Sequence, residues 1–453
     1  MRTAALLLAA TSLAACSMDP PLPQTPLPIP ASWPVGDPYL LQSEAALPEL
    51  TYRDVFRDPR LLQLVDQALV NNRDLAVAAA NIAAARAQAG ISRANRLPEV
   101  AATGGVSVRD DGDGDTRTDL DIGIAPAFEV DLFGRLASLA RADQQRLLST
   151  EAGARAVRLA LIADIARGWA AYAADGSLLA IAERTAANAE RSVGLTEARL
   201  KGGIVPRTDL LQARQILETA RSDLARQRTA LAQDRNLLQL LIGAPVDEAL
   251  LPASIGEIDQ SFVAPPAGLD SRILLRRPDI VEAEYRLRAA NAEIGAARAA
   301  LFPSISLTGL LGLASDALGG LFSNGFAWSA GADARYSIFD AGAGRARVRV
   351  TEAQRDAALA IYERSIQSAF REVADALADR GTIGERLRSA AAQVAATSEA
   401  ARLVDARYRE GIDPYLATLD AQRSSYAAQR AQVLVQLAEM QNVATLYQTL
   451  GGS

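Results

Sequence analysis

The chain repeats itself. Residues 199–214 read RLKGGIVPRTDLLQAR, and residues 407–422, displaced by 208 positions, read RYREGIDPYLATLDAQ. The same displacement superposes residues 240–243 (LLIG) on residues 448–451 (QTLG), and a displacement of 205 sets Leu97-Pro98-Glu99-Val100 on Phe302-Pro303-Ser304-Ile305. A unit of about two hundred residues is too long for a stacked solenoid repeat. Such a duplication constrains the chain to two quasi-equivalent halves of one architecture.

Each half changes period in the same order. Residues 58–96 are Ala-rich and apolar at helical spacing, with Asp58-Pro59 as a start and Leu97-Pro98 as a stop. From residue 99 alternation takes over: Val100, Ala102, Gly104, Val106 and Val108 share one parity, and Leu120, Ile122, Ile124, Pro126, Phe128 and Val130 share another after the polar stretch 110–119. The second half alternates through Ile305, Leu307, Leu311 and Leu313, passes a Gly-rich stretch (316–325), and resumes through Phe326, Trp328, Ala330, Tyr336 and Ile338. Strict alternation is a strand signal. Each half therefore carries one hairpin, long enough for the ~9–11 tilted residues of a membrane-crossing strand. Aromatic residues (Phe128, Phe133, Phe302, Tyr336, Phe339) gather at the hairpin bases, and Phe322, Phe326 and Trp328 near a tip, as in interfacial girdles.

Four strands cannot close a barrel with a lumen, and open edges in lipid leave backbone groups unsatisfied. If these strands span a membrane, several protomers must share one barrel. No apolar run approaches the length of a transmembrane helix.

Behind each hairpin lies a stretch with few helix breakers, 135–201 and 345–410, each on the order of 100 Å if wholly helical. Gly203 and Pro206 mark the reversal in the first half, Gly411 and Pro414 in the second. The return segments carry heptads: Leu210, Leu217, Leu224, Leu231, Leu238 and Leu419, Tyr426, Val433, Met440, Tyr447.

Composition narrows the chemistry. There is no His and one Cys, which removes His-based acid/base work, Cys/His zinc sites and internal disulfides. A net charge of −6 gives no footprint for nucleic acid. Asp111-Gly112-Asp113-Gly114-Asp115 fails as an EF-hand loop, since Thr116 and Ile122 stand where Gly and Glu are needed. Gly342-Ala343-Gly344 is not a dinucleotide fingerprint, and there is no Walker A motif. No enzyme, cofactor or metal is expected. The lone Cys16 follows Leu13-Ala14-Ala15 at the end of an export signal, residues 1–15. Leu-Ala-Ala-Cys resembles the bacterial lipobox, which implies a lipidated, palmitate-bearing Cys16. By resemblance to sorting rules, Ser17 directs the product to the outer membrane. Residues 17–38 are Pro-rich and read as an extended tether.

Leu275-Arg276-Arg277-Pro278-Asp279-Ile280, then Ala283-Glu284, Ala289-Ala290-Asn291, Ile294-Gly295, Ala297-Arg298 and Phe302-Pro303, resembles the signature of the TolC-like outer-membrane factors, and most closely their lipoprotein branch in multidrug efflux. Phe128 to Arg135 (FEVDLFGR) and Phe339-Asp340-Ala341-Gly342 resemble that branch's strand-to-helix junctions. The resemblance implies a fold that is mainly α with a transmembrane β-barrel: four strands per protomer in a twelve-stranded trimeric barrel, continued by a long helical periplasmic tunnel. The implied organisation is a signal peptide (1–15), lipidated Cys and tether (16–55) and channel (56–453). The channel comprises repeat one (56–246) and repeat two (270–453), with strands at about 99–131 and 303–340 and helical hairpins at about 135–242 and 343–450. The implied partners are two further copies of the chain, a periplasmic adaptor, an inner-membrane pump and outer-membrane lipid. In that family the tunnel narrows near its periplasmic tips. The register implies Asp420 as an acidic pore-ring residue, Leu416 as an apolar one, and Asp209 as a comparable position in the first half. Ala417 stands where some members carry a second Asp. Tyr408 matches a position that latches neighbouring helices, whereas Asp413 replaces a basic latch residue. The expected function is a passive exit duct for small molecules such as drugs. A duct for protein secretion, and a lipid-anchored coiled-coil scaffold, remain open alternatives.

Overall fold

Helices open and close each repeat, and strands lie between them, in a computed structural model that describes residues 18–23, 26, 28–39, 51–110, 116–266, 271–316, 321–322 and 326–452. Cys16, the acidic stretch 111–115 and most of the Gly-rich stretch 316–325 lie outside the described residues. The element order is α1 (Tyr52–Val55), α2 (Pro59–Asn71), α3 (Arg73–Ala94), β1 (Glu99–Asp110), β2 (Thr116–Val130), α4 (Arg135–Lys201), α5 (Arg207–Ile242), α6 (Pro278–Ala299), β3 (Ser304–Ser315), β4 (Phe326–Arg335), α7 (Ala343–Arg409) and α8 (Tyr415–Thr449). Three short 3-10 turns, Glu248–Leu250, Ile255–Ile258 and Ser271–Arg276, lie between α5 and α6. The chain forms two units, one of residues 1–27, 79–153 and 279–365, the other of residues 28–78, 154–278 and 366–453.

The first unit holds the sheet. Its order is β1-β2-β3-β4, antiparallel throughout, so β1 and β4 are its edges. The register aligns parity across all four strands: Val106 faces Leu120, Ile122 faces Leu313, Ile124 faces Leu311, and Leu311 faces Trp328. Because side chains alternate with period two, these pairs stack on one face. That face is apolar and open, with Val106, Ile122, Leu311 and Trp328 all exposed. The opposite face carries Ser107 opposite Asp119 and Ser306 opposite both Glu129 and Asp333. Pro126 sits in an inner strand, where a missing N–H is normally excluded. It is accommodated by a gap in the β2–β3 ladder between the Ile124–Leu311 and Ala127–Thr308 pairs.

Two strand boundaries differ from expectation. Thr116 to Asp119 belong to β2 rather than to the polar loop, because they pair with Asp110, Arg109, Val108 and Ser107 in turn and extend the hairpin. The run expected to reach residue 340 stops at Arg335. The Asp340 carboxylate accepts from Gly342 N at 2.8 Å and Gly344 N at 2.6 Å, turning the chain into α7. The first half does the same with Asp131, which accepts from Leu136 N at 3.0 Å and Ala137 N at 2.7 Å. A carboxylate at each helix start satisfies orphan amides and opposes the helix dipole. Phe133, in the first of these junctions, stacks at 4.7 Å on Phe302, which lies two residues before the start of β3.

Residues 18–23 form no helix or strand, and within this unit they are pinned. Asp19 accepts from Ser138 Oγ at 2.9 Å and Arg141 Nε at 2.8 Å, and Pro20 O accepts from Asn291 Nδ2 at 2.7 Å.

The second unit holds the apolar core. Phe56, Trp169 and Tyr447 are fully buried, and Phe56 meets Tyr447 at 5.4 Å and Phe262 at 5.5 Å, both edge-on. Each such ring contributes roughly 1.5–3 kcal/mol by leaving water. Trp169 Nε1 donates to Leu250 O at 2.9 Å, so the indole is buried without an orphan donor. Of the heptad residues, Leu210, Leu217, Leu238, Leu419, Val433, Met440 and Tyr447 are buried, as a helix-packing seam requires.

The helix expected over 58–96 is two helices. Asn72 has extended backbone and separates them. Its Oδ1 caps α3 by accepting from Leu75 N at 3.0 Å, and its Nδ2 donates to Leu241 O, at the end of α5, at 2.8 Å. Alanine content predicts helix through this point; the side chain's two bonds outweigh one broken turn. Asp58 and Pro59 do begin α2, with Asp58 Oδ1 accepting from Arg60 N at 2.9 Å.

Arg277 explains why the Leu-Arg-Arg-Pro-Asp run reads as it does. Its guanidinium is buried and donates to Thr449 O at 3.0 Å and to Glu372 Oε2 at 2.9 Å. A cation therefore caps the carbonyl end of α8, where the helix dipole is negative, while Pro278 begins α6 at the tolerated first position.

Candidate functional site: the helix-turn ends

The residues expected at a pore constriction lie at the turns joining α4 to α5 and α7 to α8. The two turns are built alike. Ile204 N donates to Arg199 O and Ile412 N to Arg407 O, both at 2.9 Å, while Gly203 N reaches Leu200 O and Gly411 N reaches Tyr408 O, both at 3.0 Å. Gly203 has φ of 71° and Gly411 of 74°, the left-handed conformation that closes this kind of helix end. Pro206 and Pro414 then stand as the capping residues before α5 and α8.

The turns differ in one ion pair. Arg407 Nε and Nη2 hold both oxygens of Asp413 at 2.7 and 2.9 Å. The hydrogen bonds and charge of Arg407 keep the Asp413 carboxyl below its usual range. Asp413 is thus occupied within its own turn. The equivalent first-half position is Val205, which carries no charge.

On α8, Leu416 and Asp420 are one helical turn apart and both exposed, while Tyr415, Thr418 and Leu419 point inward and are buried. The structure thus brings the two residues onto one open helix face. Asp209 sits half-buried at the start of α5, and its charge contributes to raising the Tyr415 phenol, which burial chiefly pushes up to about 12. Asp209 and Asp420 stand on different helices, α5 and α8. A cavity of about 860 Å³ opens between these helix ends, lined by Leu416, Asp420, Arg423, Tyr408, Tyr415 and Tyr426 among others.

Two further residues belong to the site and were not anticipated. Arg423 is exposed three residues beyond Asp420 and lines the same cavity; the i,i+3 spacing was the available signal. Arg199 lies over the Tyr408 ring at 4.6 Å and donates to Arg409 O at 3.1 Å. Nothing in the local sequence marks Arg199, because its partners are two hundred residues away. Tyr408 is buried and tilts against Tyr415 at 5.2 Å. No group of metal-ligating side chains occurs among the described residues.

An open apolar sheet face, two long helical hairpins and matched turns are the features of a channel. The family model described as "Outer membrane efflux protein" matches residues 64–244 and 269–452. The chain belongs to the outer membrane efflux protein family. Relatives of this efflux family include the solvent efflux pump outer membrane protein SrpC of Pseudomonas putida, 39% identical over 97% of this chain and 96% of that one. Another is OprJ of Pseudomonas aeruginosa, 39% identical over 98% of this chain and 95% of its own length. Among solved structures, CusC aligns with a TM-score of 0.85 at 36% identity over 97% of this chain and all of that chain. The open state of the Neisseria gonorrhoeae MtrE channel aligns with a TM-score of 0.85 at 35% identity, covering 96% and 98%. This efflux-family chain is an outer-membrane protein, the exit duct of an efflux pump, mainly helical with four barrel strands per protomer. The family consists of channel components rather than enzymes.

Proposed function

We propose that three copies of this chain close a twelve-stranded barrel and a helical tunnel that releases small, largely apolar toxic molecules across the outer membrane. The observation that carries this reading is the sheet: one continuous apolar face, one polar face, and edges at β1 and β4. In lipid, both edges need partners, and pairing β1 of one protomer with β4 of the next supplies them. Strands 99–130 and 304–335 cross the membrane, and the hairpins α4–α5 and α7–α8 extend into the periplasm. Residues 1–15 are removed, and lipidated Cys16 anchors the pinned N-terminal segment. An inner-membrane pump drives transport through a periplasmic adaptor that meets the turns at Gly203–Pro206 and Gly411–Pro414. The substrate class rests on relatives named for solvent, toluene and antibiotic efflux.

At the turns, Leu416 and Asp420 form the narrowest rings, with Asp209 behind them. Three-fold symmetry concentrates the Asp420 charge in a narrow aperture, which favours cations. Arg423, one turn further along, offsets part of that field.

Single-channel recording of the purified protein, with its mass in detergent, tests this reading. A trimer with small, cation-selective conductance is the expected result. A monomer that never conducts would remove the shared barrel.

A further inference from the structure

Two buried hydroxyls between the helix-turn ends have nothing to bond. Tyr408 is 6% exposed and Thr418 2%, and the Tyr408 phenol oxygen and Thr418 Oγ1 meet no hydrogen-bonding partner among the described residues. A buried polar atom without a partner bears the full loss of its hydration, so each orphan of this kind marks a missing bond. Both residues line the cavity of about 860 Å³ between the helix ends. That volume lies within the range of small-molecule sites.

Much of the remaining polar wall is already bonded. Ser425 Oγ lies 3.2 Å from Ser398 Oγ and accepts from Gln429 Nε2 at 3.1 Å, and Tyr426 donates to Asp223 Oδ2 at 3.3 Å. The charges are largely matched as well. Asp405 holds Arg409 at 2.6 Å, and Arg402 holds Glu399 at 2.6 Å. Asp420 and Arg423 are exposed and of opposite sign, three residues apart on α8. The wall therefore carries little net charge to recruit an ion. It offers the rings of Tyr408, Tyr415 and Tyr426, the aliphatic Ile216 and Leu419, and two idle hydroxyls. A helical Thr divides between two χ1 rotamers, which carry its hydroxyl to different sides. Thr418 can thus present Oγ1 to a molecule in the cavity.

We propose that this cavity is a ligand site for a neutral aromatic molecule bearing one hydroxyl or carbonyl group, its ring against the tyrosines and its polar group on Thr418 and Tyr408. All four long helices contribute to the wall, through Ser192 of α4, Gln215 of α5, Asp405 of α7 and Leu419 of α8 among others. A molecule held there touches both helical hairpins, so its binding and their separation oppose each other. The site lies within one protomer and does not depend on a shared barrel.

Equilibrium binding to the full-length protein, at fixed detergent and neutral pH, tests the proposal. The probes are 1-naphthol and naphthalene, which has the same rings and no hydroxyl. Saturable binding of 1-naphthol is expected, about five- to thirtyfold tighter than naphthalene, the factor that one or two hydrogen bonds supply. Thr418→Val and Tyr408→Phe each keep the shape and remove a hydroxyl. In both, the preference for 1-naphthol should shrink while naphthalene binds as before. Without ligand, Thr418→Val should not lower the thermal midpoint, because its Oγ1 makes no recorded bond. Ala401→Phe fills the cavity from α7 and should abolish saturable binding of both probes. No saturable binding in the wild type, or an unchanged preference in both hydroxyl variants, would overturn the site. Should Ala401→Phe fail to assemble, the two hydroxyl variants carry the comparison. A protein that binds 1-naphthol as expected but never conducts would keep this site and remove the channel reading instead.

Discussion

The Arg199 guanidinium lies 4.6 Å from the centre of the Tyr408 ring and donates to Arg409 O at 3.1 Å, so the end of α4 is tied to the end of α7. One cation covers the aromatic face and two adjacent carbonyls, where the α7 dipole is negative. Each repeat's turn is thereby held in place by the other.

Removing that tie should loosen the turns without unfolding the helices. Cation–π contacts of this kind contribute roughly 0.5–2 kcal/mol. Arg199→Ala is expected to raise single-channel conductance or open time while the mass in detergent stays unchanged. Conductance identical to wild type would mean that the contact does not restrain the aperture.

Asp420→Ala should lower cation selectivity and weaken block by multivalent cations, because the ring's field is lost. Arg423→Ala should do the reverse, since it exposes more of the Asp420 charge. Reversal potentials in asymmetric salt read both. Unchanged values in both variants would remove the Leu416–Asp420 face from the aperture.

Arg277 predicts a stability effect far larger than any surface pair. Its side chain is 8% exposed and that of Glu372 36%. Breaking a buried pair costs ~3–5 kcal/mol, and the partial exposure of Glu372 moves the expectation to about 2–3 kcal/mol. Arg277→Ala should lower the thermal midpoint by several degrees. Arg277→Lys should recover only part of it, since a lysine cannot reach Thr449 O and Glu372 with the same fork.

Asn72→Ala removes a helix cap and a donor to Leu241 O in one change. About 1–2 kcal/mol is expected from the cap alone, with a further ~1 kcal/mol from the lost carbonyl bond. Chemical denaturation would measure it. Asn72→Asp, which keeps the acceptor and loses the donor, should fall between the two.

Cys16→Ser should abolish incorporation of labelled palmitate and leave a product lighter by its acyl groups. Mass spectrometry distinguishes the two forms. Identical masses for wild type and variant would leave Cys16 without its proposed role.

Much of this architecture is legible in the chain because it rests on local periodicity. A period of two with aligned parity marks β1 to β4, an absence of breakers marks α4 and α7, and Gly followed by Pro marks both turns. These signals depend only on which face of an element a residue occupies, so a reader of the chain can recover them. Leu416 and Asp420 sharing one exposed face follows from the same four-residue spacing. Where periodicity failed, a specific side-chain hydrogen bond had prevailed. Alanine content carries a helix through residue 72, but Asn72 breaks it to reach Leu241. Alternation carries a strand to Ile338, but Asp340 binds the amides of Gly342 and Gly344 and turns the chain early. Arg199 with Tyr408 and Arg277 with Thr449 could be decided only by tertiary structure. These pairs join residues 209 and 172 positions apart, and what each side chain does depends on the burial and charge that its distant partner brings.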